Sequence, residues 1–375
     1  MHYNSFQMER FSRRSLSQAK LIVVKIGTSS LTDKNGRLDP SSFQKIAGEI
    51  SRNVAHGKKI IIVTSGAVAA GKDRLGSEKL STVQEKQAAA AVGQSILMKE
   101  YERAFEGSGI VPAQVLLTRD AISNRTRYLH ARNTIAQILR FGAVPVINEN
   151  DTVSAEEIKF GDNDTLSALV ASLMGADLLV ILSDVDGFMV DGVVVPTVEK
   201  ISGDIEKFAG VPSTSCGTGG MITKLSAAKT ALAAGIPAVI AGFRNENIIE
   251  NILSGSEAGT VFVPKPSKIE GKKRWLMSGK KPSGKVAVDT GAVKALIEQG
   301  KSLLPVGIKE VKGKFSHGDI ISITDTSWRE IGRGITSYSS DEIIKIKGKN
   351  SSEARKALEV LPSDEVVHRN NMVII

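Results

Sequence analysis

Leu21-Ile22-Val23-Val24-Lys25-Ile26-Gly27-Thr28-Ser29-Ser30 is the stretch that decides the fold. An apolar, β-branched run without polar alternation ends abruptly in a glycine and hydroxyl residues. A strand apolar on both faces belongs to a largely parallel sheet covered by helices on both sides. The chain beyond it keeps that rhythm. Asp39-Pro40 reads as a helix start, with Asp as cap and Pro at the first helical position. Phe43, Ile46, Ala47, Ile50 and Val54 follow at helical spacing, and Gly57 ends the helix. Residues 60–63 predict a second strand, ending in Thr64-Ser65-Gly66. Residues 84–105 predict a long Ala-rich helix, stopped by Gly107 and Gly109. Strands over 111–117, 144–147, 178–182 and 236–241 alternate with helices over 128–140, 166–174 and 225–234. The fold class is therefore α/β, a mainly parallel sheet sandwiched by helices.

Ligands in such sheets bind beyond the carboxyl ends of the strands. Those ends are rich in chemistry: Lys25-Ile26-Gly27-Thr28, Thr64-Ser65-Gly66-Ala67, Asn148-Glu149-Asn150-Asp151 and Ser183-Asp184-Val185-Asp186-Gly187. Two further segments, Gly161-Asp162-Asn163-Asp164 and Gly217-Thr218-Gly219-Gly220-Met221-Ile222-Thr223-Lys224, lead into helices. Glycine lets backbone N–H groups approach an anion, and a helix N-terminus adds donors and a positive dipole end. Two glycine loops, each with a lysine (Lys25 and Lys224), suit a polyphosphate. For either loop alone, a tight turn with a surface lysine is the better account. Neither loop has Walker A spacing or a dinucleotide-binding fingerprint. Asp151, Asp162, Asn163 and Asp164 leave several roles open: an ammonium site, orientation of the lysines, a metal site, or capping of the following helix by Asn163 or Asp164. The histidines His2, His56, His130, His317 and His368 lack metal-ligand spacing, and Cys216 reads as a bystander.

Composition narrows the classes. At 375 residues the chain exceeds the ~250–300 at which one core stops growing, so two domains are expected. No apolar run reaches the ~18 residues of a membrane span, and one cysteine fits a reducing compartment. The net charge of +9 is unevenly placed: residues 268–375 hold +7, residues 1–20 hold +3, and the middle is close to neutral. The expected division is a frayed N-terminal arm (1–20), a catalytic domain (21–267), a Lys-rich linker (268–281) flanked by Pro264, Pro266 and Pro282, and a C-terminal domain (282–375) with its tail.

Taken in order, Val23-Val24-Lys25-Ile26-Gly27-Thr28-Ser29, Val63-Thr64-Ser65-Gly66-Ala67, Pro145-Val146-Ile147-Asn148-Glu149-Asn150-Asp151, Lys159-Phe160-Gly161-Asp162-Asn163-Asp164 and Gly217-Thr218-Gly219-Gly220-Met221 resemble the amino acid kinase family, in its glutamate-phosphorylating branch. The resemblance implies ATP-dependent phosphorylation of the L-glutamate side-chain carboxylate to glutamyl 5-phosphate, the first step of proline biosynthesis. It implies ATP as cosubstrate, Mg²⁺ on the phosphates, feedback inhibition by proline, a homo-oligomer and a cytoplasmic location. Lys25, Lys224 and Asp164 take catalytic positions, with Asp164 orienting the lysines. Ser65, Asp151 and Asn163 take glutamate-binding positions. Lys25, Ser183, Asp184 and the run Thr218, Gly219, Gly220, Met221, Ile222, Thr223 and Lys224 take nucleotide-binding positions; no metal ligand is assigned. One stretch departs. Where relatives continue after the glycine with Leu-Tyr and then Pro-Arg, Phe188-Met189-Val190-Asp191-Gly192 reads as a short turn.

Short apolar runs over 286–288, 308–311, 320–323 and 331–334, split by Gly, Asp and Ser turns, predict a small β-rich second domain. Ser302-Leu303-Leu304-Pro305-Val306-Gly307-Ile308 and Gly318-Asp319 resemble a PUA domain, a module of RNA-modifying enzymes; Trp328 stands where a turn glycine is common. Its basic excess favours anions, but stacking aromatics are few, so a structural or regulatory appendage is expected ahead of RNA binding. The rivals are a sister kinase acting on acetylglutamate, aspartate, carbamate or UMP, and an RNA-binding protein with a vestigial kinase domain.

Overall fold

The first strand sits where a mostly parallel sheet needs its centre. The computed structural model describes residues 11–77, 79–118, 125–153, 162–201, 205, 220–264, 282–358 and 363–374. They fall into two compact units, Met1–Ile122 with Ile135–Lys265, and Ser123–Thr134 with Pro266–Ile375.

The strands of the first unit are β1 (Leu21–Ile26), β2 (Lys59–Thr64), β3 (Pro112–Leu117), β4 (Val144–Glu149), β5 (Leu178–Ser183), the small hairpin β6 (Met189–Val190) and β7 (Val193–Val194), β8 (Thr197–Val198), β9 (Ala238–Gly242) and β10 (Thr260–Phe262). Among the described residues the main sheet runs β3-β4-β2-β1-β5-β9-β10-β8. All neighbours from β3 to β9 are parallel; β10 turns antiparallel to β9 and carries β8 parallel to itself. The expected parallel sheet is present, with an antiparallel edge.

The helices are α1 (Thr28–Leu31), α2 (Pro40–Ala55), α3 (Ala67–Arg74), α4 (Val83–Phe105), α5 (Arg125–Arg140), α6 (Asp162–Met174), α7 (Met221–Ala233) and α8 (Ile248–Ser254). Asp39 caps α2 by accepting from Ser41 N, with Pro40 at the first position, as the sequence predicts. Ile22, Val24 and Ile26 join one apolar cluster with Phe43, Ile46 and Ile50 of α2 and Leu97 and Tyr101 of α4. Because side chains alternate along a strand, Lys25 points to the opposite face, where α6 and α7 lie.

α3 is not predicted by the sequence, where Thr64-Ser65-Gly66-Ala67 reads only as a strand end. The packing of α3 on α4 accounts for Gly71. A Cβ there would lie 1.7 Å from Ala89 O, and one at Gly93 would lie 1.8 Å from Ala67 O. The two backbones meet where no side chain fits. α6 also begins earlier than expected, at Asp162. Asn163 and Asp164 therefore sit in its first turn, and neither is its cap.

The expectation of a frayed N-terminal arm fails for residues 11–20. Arg13–Gln18 form a 3₁₀ turn whose Leu16 is buried in the main cluster. Arg13 Nη2 donates to Ala258 O and Gly259 O, and Lys58 Nζ donates to Ser17 O and Ala19 O. One buried leucine and these backbone acceptors hold a segment that has no strong periodicity of its own. Residues 1–10 and the linker 268–281 lie outside the described residues.

The second unit has a sheet of order β12-β11-β13-β14-β15, built from β11 (Gly284–Val288), β12 (Ile308–Gly313), β13 (Ile320–Thr324), β14 (Glu330–Ile335) and β15 (Met372–Ile374). The four predicted runs are strands. Three helices were not foreseen: α9 (Thr290–Ile297), α10 (Ser340–Ile346) and α11 (Ser351–Ala357). Capping boxes start the last two, Ser339 with Glu342 and Asn350 with Glu353. Such spacing is a legible start signal. Trp328 adopts the left-handed region (φ 62°) in the turn between β13 and β14, the conformation a glycine would take without strain.

Candidate active site

Parallel pairing brings distant strand ends to one edge. In register, Lys25 lies opposite Val63 on β2 and Ile181 on β5. From β4 across to β9 the edge presents Asn148, Ser65, Gly27, Ser183 and Gly242, an order unlike their order in the chain. The ends of β4, β2, β1 and β5, with Phe243 just after β9, line a cleft of about 1240 Å³ that also takes in Asp151, Asn163, Asp184 and Lys224.

At its floor is a buried charge cluster. Lys25 Nζ lies 2.5 Å from Asp164 Oδ1, and Lys224 Nζ lies 3.9 Å from Asp164 Oδ2. Thr223 Oγ1 donates to the same Oδ2 at 2.7 Å. Asp164 is fully buried, and the two lysines are nearly so. Three mechanisms place these groups. Strand alternation aims Lys25 at the α6 face. The first turn of α6 puts Asp164 where the helix dipole favours a carboxylate. Gly27 leaves room for the returning ammonium, since a Cβ there would stand 3.3 Å from Lys25 Nζ.

The cluster holds two ammonium groups and one carboxylate. Its two ammonium groups sit away from bulk water, where charge is costly. An anion entering the cleft would relieve that cost. Burial pushes the pKa of Lys224 down, and Lys25 adds to the effect; Asp164 and Asp184 pull the other way.

Beside this floor is a chain of side-chain amides. Asn163 Nδ2 donates to Ser65 Oγ and to Asn148 Oδ1, both at 3.0 Å. Asn148 Nδ2 donates in turn to Gln94 Oε1 on α4. Asn163 Oδ1 is buried and has no hydrogen-bond partner among the described residues. A buried acceptor without a donor is expensive, so this atom marks a place for a ligand N–H or a water. On the other side of the floor, Ser183 Oγ donates to Asp184 Oδ1 at 2.9 Å, and the Asp184 side chain opens to the cleft.

The structure therefore brings together Lys25, Ser65, Asp151, Asn163, Asp164, Ser183, Asp184, Thr223 and Lys224. Gly220 precedes α7 as its N-terminal flank, and Met221 and Ile222 form its first turn, with Ile222 59% exposed. Thr218, Gly219 and Cys216 lie outside the described residues, as does the side chain of Asp162. Asn148 stands in a strand end the sequence marks but is given no role there, and Gln94 is not marked at all; positions 94, 148 and 163 meet only in the fold. The departing stretch after Gly187 is the tight hairpin β6–β7, with Asp191 (φ 51°) and Gly192 (φ 78°) both left-handed. No group of three or more His, Cys, Asp or Glu side chains suited to a metal occurs among the described residues.

Comparison with known proteins gives the same assignment. A sequence model of the amino acid kinase family matches residues 20–242, and one of the PUA domain matches residues 284–358. Glutamate 5-kinase of Moorella thermoacetica is 46% identical over 375 residues, covering 98% of this chain and 99% of that protein. Glutamate 5-kinase of Geobacter sulfurreducens is 45% identical over 368 residues, covering 96% and 99%. Among solved structures, carbamate kinase from Giardia lamblia bound to AMP-PNP superposes with a TM-score of 0.49 at 17% identity, covering 66% of this chain and all of that one. On the family match and these near full-length relatives, the chain belongs to the amino acid kinase family and groups with its glutamate 5-kinases.

Proposed function

We propose that the chain transfers the γ-phosphoryl group of ATP to the side-chain carboxylate of L-glutamate, yielding glutamyl 5-phosphate for proline synthesis. The observation that carries this is the buried Lys25–Asp164–Lys224 cluster, flanked by the Asn163–Ser65 side and the Ser183–Asp184 side of one cleft. A glutamate carboxylate is ionised near neutral pH, since such groups titrate near ~4.3, and attacks without a general base. Asp164 is in any case held by Lys25, Thr223 and Lys224 and is poorly placed to accept a proton. The difficulty is to bring two anions together and to stabilise charge on the transferring group. The two ammonium groups do this, and Asp164 keeps both aimed at one point.

Asn163, Ser65 and Asp151 serve the amino acid. The orphaned Asn163 Oδ1 suits its ammonium, and Asp151 adds charge at the rim. Ser183, Asp184 and the start of α7, with Thr218 and Gly219 before it, serve the nucleotide. Mg²⁺ fits these residues as an ion carried mainly by phosphates, since Mg²⁺ keeps waters and takes only one or two carboxylates. Asp164 is committed to lysines, which leaves Asp184, open to the cleft beside Ser183, as the carboxylate that would hold it. When bound, the ion would neutralise phosphate charge.

Feedback by proline, a homo-oligomer and a cytoplasmic site of action belong to the same proposal; no helix among the described residues is long and apolar enough to cross a membrane. The working division remains a kinase domain over 21–267 and a PUA-like domain over 282–375, joined by 268–281. The second unit is read as an appendage to the kinase. In support, Lys312 Nζ stands 3.7 Å from the centroid of the Trp328 ring and occupies one of its faces. The decisive assay is ADP release with glutamate, acetylglutamate, aspartate, carbamate and UMP as acceptors, with and without proline. Turnover with glutamate alone is expected; turnover with another acceptor and none with glutamate would overturn the proposal.

A further inference from the structure

Lys45 lines the same cleft, one turn into α2, but it is not built to hold a ligand. Its Nζ donates to Glu49 Oε1 at 2.8 Å and to Asn245 O at 2.9 Å. It also stands over the Phe243 ring, 5.2 Å from the centroid. Two N–H groups and the cation's open side are thereby used within the protein. Glu49 is buried, and its other oxygen accepts from Ile249 N in the first turn of α8 at 3.0 Å.

The chain of contacts continues toward the nucleotide side. Asn245, whose carbonyl Lys45 holds, donates through Nδ2 to Asp186 Oδ1 at 3.0 Å. The turn Ser183–Asp186 is thus tied to the loop after β9. Gly242 lets Asp186 lie that close, since a Cβ on Gly242 would stand 2.3 Å from Asp186 Oδ1. On its far side the same turn is fixed by Phe188 N donating to Thr260 Oγ1 at 2.8 Å. At its start the turn is held by Phe243 N donating to Ser183 O at 2.7 Å, again from the loop after β9.

We infer that Lys45 and Asn245 are positioning residues for the nucleotide: they set the Ser183–Asp186 turn from below without touching the ligand. This rests on the reading of Ser183 and Asp184 as nucleotide contacts. It differs from a general role in joining α2 to α8, and the structure supplies the control. Arg52 ties the same two helices, through Glu250 Oε1 and through Asn247 Oδ1 at the last residue before α8, yet bonds neither Asn245 nor Asp186 and does not line the cleft.

The test is steady-state kinetics, with the KM for ATP and the KM for glutamate measured separately, on full-length Lys45→Met, Lys45→Arg, Asn245→Ala, Arg52→Ala and Asp184→Asn. Lys45→Met and Asn245→Ala are expected to raise the KM for ATP about tenfold with the KM for glutamate within twofold. Lys45→Arg should recover most of the loss, because a guanidinium can bridge Glu49 and Asn245 O. Arg52→Ala should lower the melting temperature and leave both KM values unchanged. Equal rises in both KM values, or the same ATP effect from Arg52→Ala, would overturn the inference and leave a merely structural lysine. If Asp184→Asn raises the KM for ATP while Lys45→Met and Asn245→Ala do not, the positioning role fails alone. If Asp184→Asn also has no effect, the nucleotide reading of that turn fails, and the inference falls with it. Should Lys45→Met fold poorly, Asn245→Ala reads the same link from its far end.

Discussion

Asp164 holds Lys25 at 2.5 Å with both side chains out of water, at the carboxyl edge of the central strand. The carboxylate is as much a spacer as a counter-ion. It fixes where one ammonium points and, through its second oxygen, where Lys224 and Thr223 point. Removing its charge leaves two buried cations facing one another.

Asp164→Asn should therefore damage both stability and turnover. Loss of one partner of a buried pair typically costs ~3–5 kcal/mol. Loss of preorganised charge at the reacting group typically costs about 10²–10³ in kcat. Denaturant unfolding and glutamate-dependent ADP release measure the two effects. Wild-type kcat in the variant would remove Asp164 from the mechanism.

Lys224→Ala is expected to lower kcat by about 10²-fold or more while changing the KM for glutamate little. Its charge counts most where charge develops, on the transferring phosphoryl group. A rise in that KM with kcat intact would reassign the residue to ground-state binding.

The lowered pKa of Lys224 sets a pH signature. Below the folded-state pKa the residue is protonated in both folded and unfolded chains, and its burial costs stability. Between that value and the ordinary lysine value of about 10.4, the unfolded chain binds more protons. Stability from this group therefore rises with pH across that window. Activity runs the other way, since the protonated form is needed, and kcat should fall in an alkaline limb that begins below the ordinary lysine range. Lys224→Arg keeps its proton and should shift that limb upward, whatever its absolute rate. An unmoved limb would assign the ionisation to another group.

Asn163→Ala should raise the KM for glutamate at least about tenfold, a loss of ~1.4 kcal/mol or more, with the KM for ATP unchanged. It removes the donor to Ser65 and Asn148 and the buried acceptor Oδ1 together. Equal effects on both substrates would place Asn163 in support of the cluster instead of at the amino acid.

Gly93→Ala, at a backbone crossing next to Gln94, should be costly. Its Cβ would stand 1.8 Å from Ala67 O and 2.5 Å from Gly71 N, so α3 must move. Overpacking of this kind costs ~1–3 kcal/mol or more. Ser65 and Gly66 enter α3 directly, so a raised KM for glutamate should accompany the lower melting temperature. A normal KM would show that α3 and its entry loop move independently.

The longer strands of both units, the helix begun by Asp39-Pro40 and the lysines at the glycine loops were legible in the sequence because each depends on local pattern, whereas the short strands β6, β7, β8, β10 and β15 and the helices of the second unit were not. Continuous apolar runs, Asp39-Pro40 and the glycine punctuation need no distant partner. Residues 11–20 and α3 were not legible. Their order comes from Ala258, Gly259, Lys58 and Ala89, which lie elsewhere in the chain. Asn163 and Asp164 looked equally suited to capping, and the earlier start of α6 removed that role.

The sequence by itself determined a parallel sheet with reactive groups at its strand ends, because β-branched runs and glycine stops act locally. Only the tertiary structure decided which groups meet. Strand order placed Ser183 beside Gly27 and Ser65 on its other side, and side-chain alternation sent Lys25 to the face where Asp164 and Lys224 arrive. It also turned Lys45 from a polar position on an amphipathic helix into the anchor of a loop two hundred residues away. Such pairings are set by sheet topology and packing, which no spacing along the chain encodes.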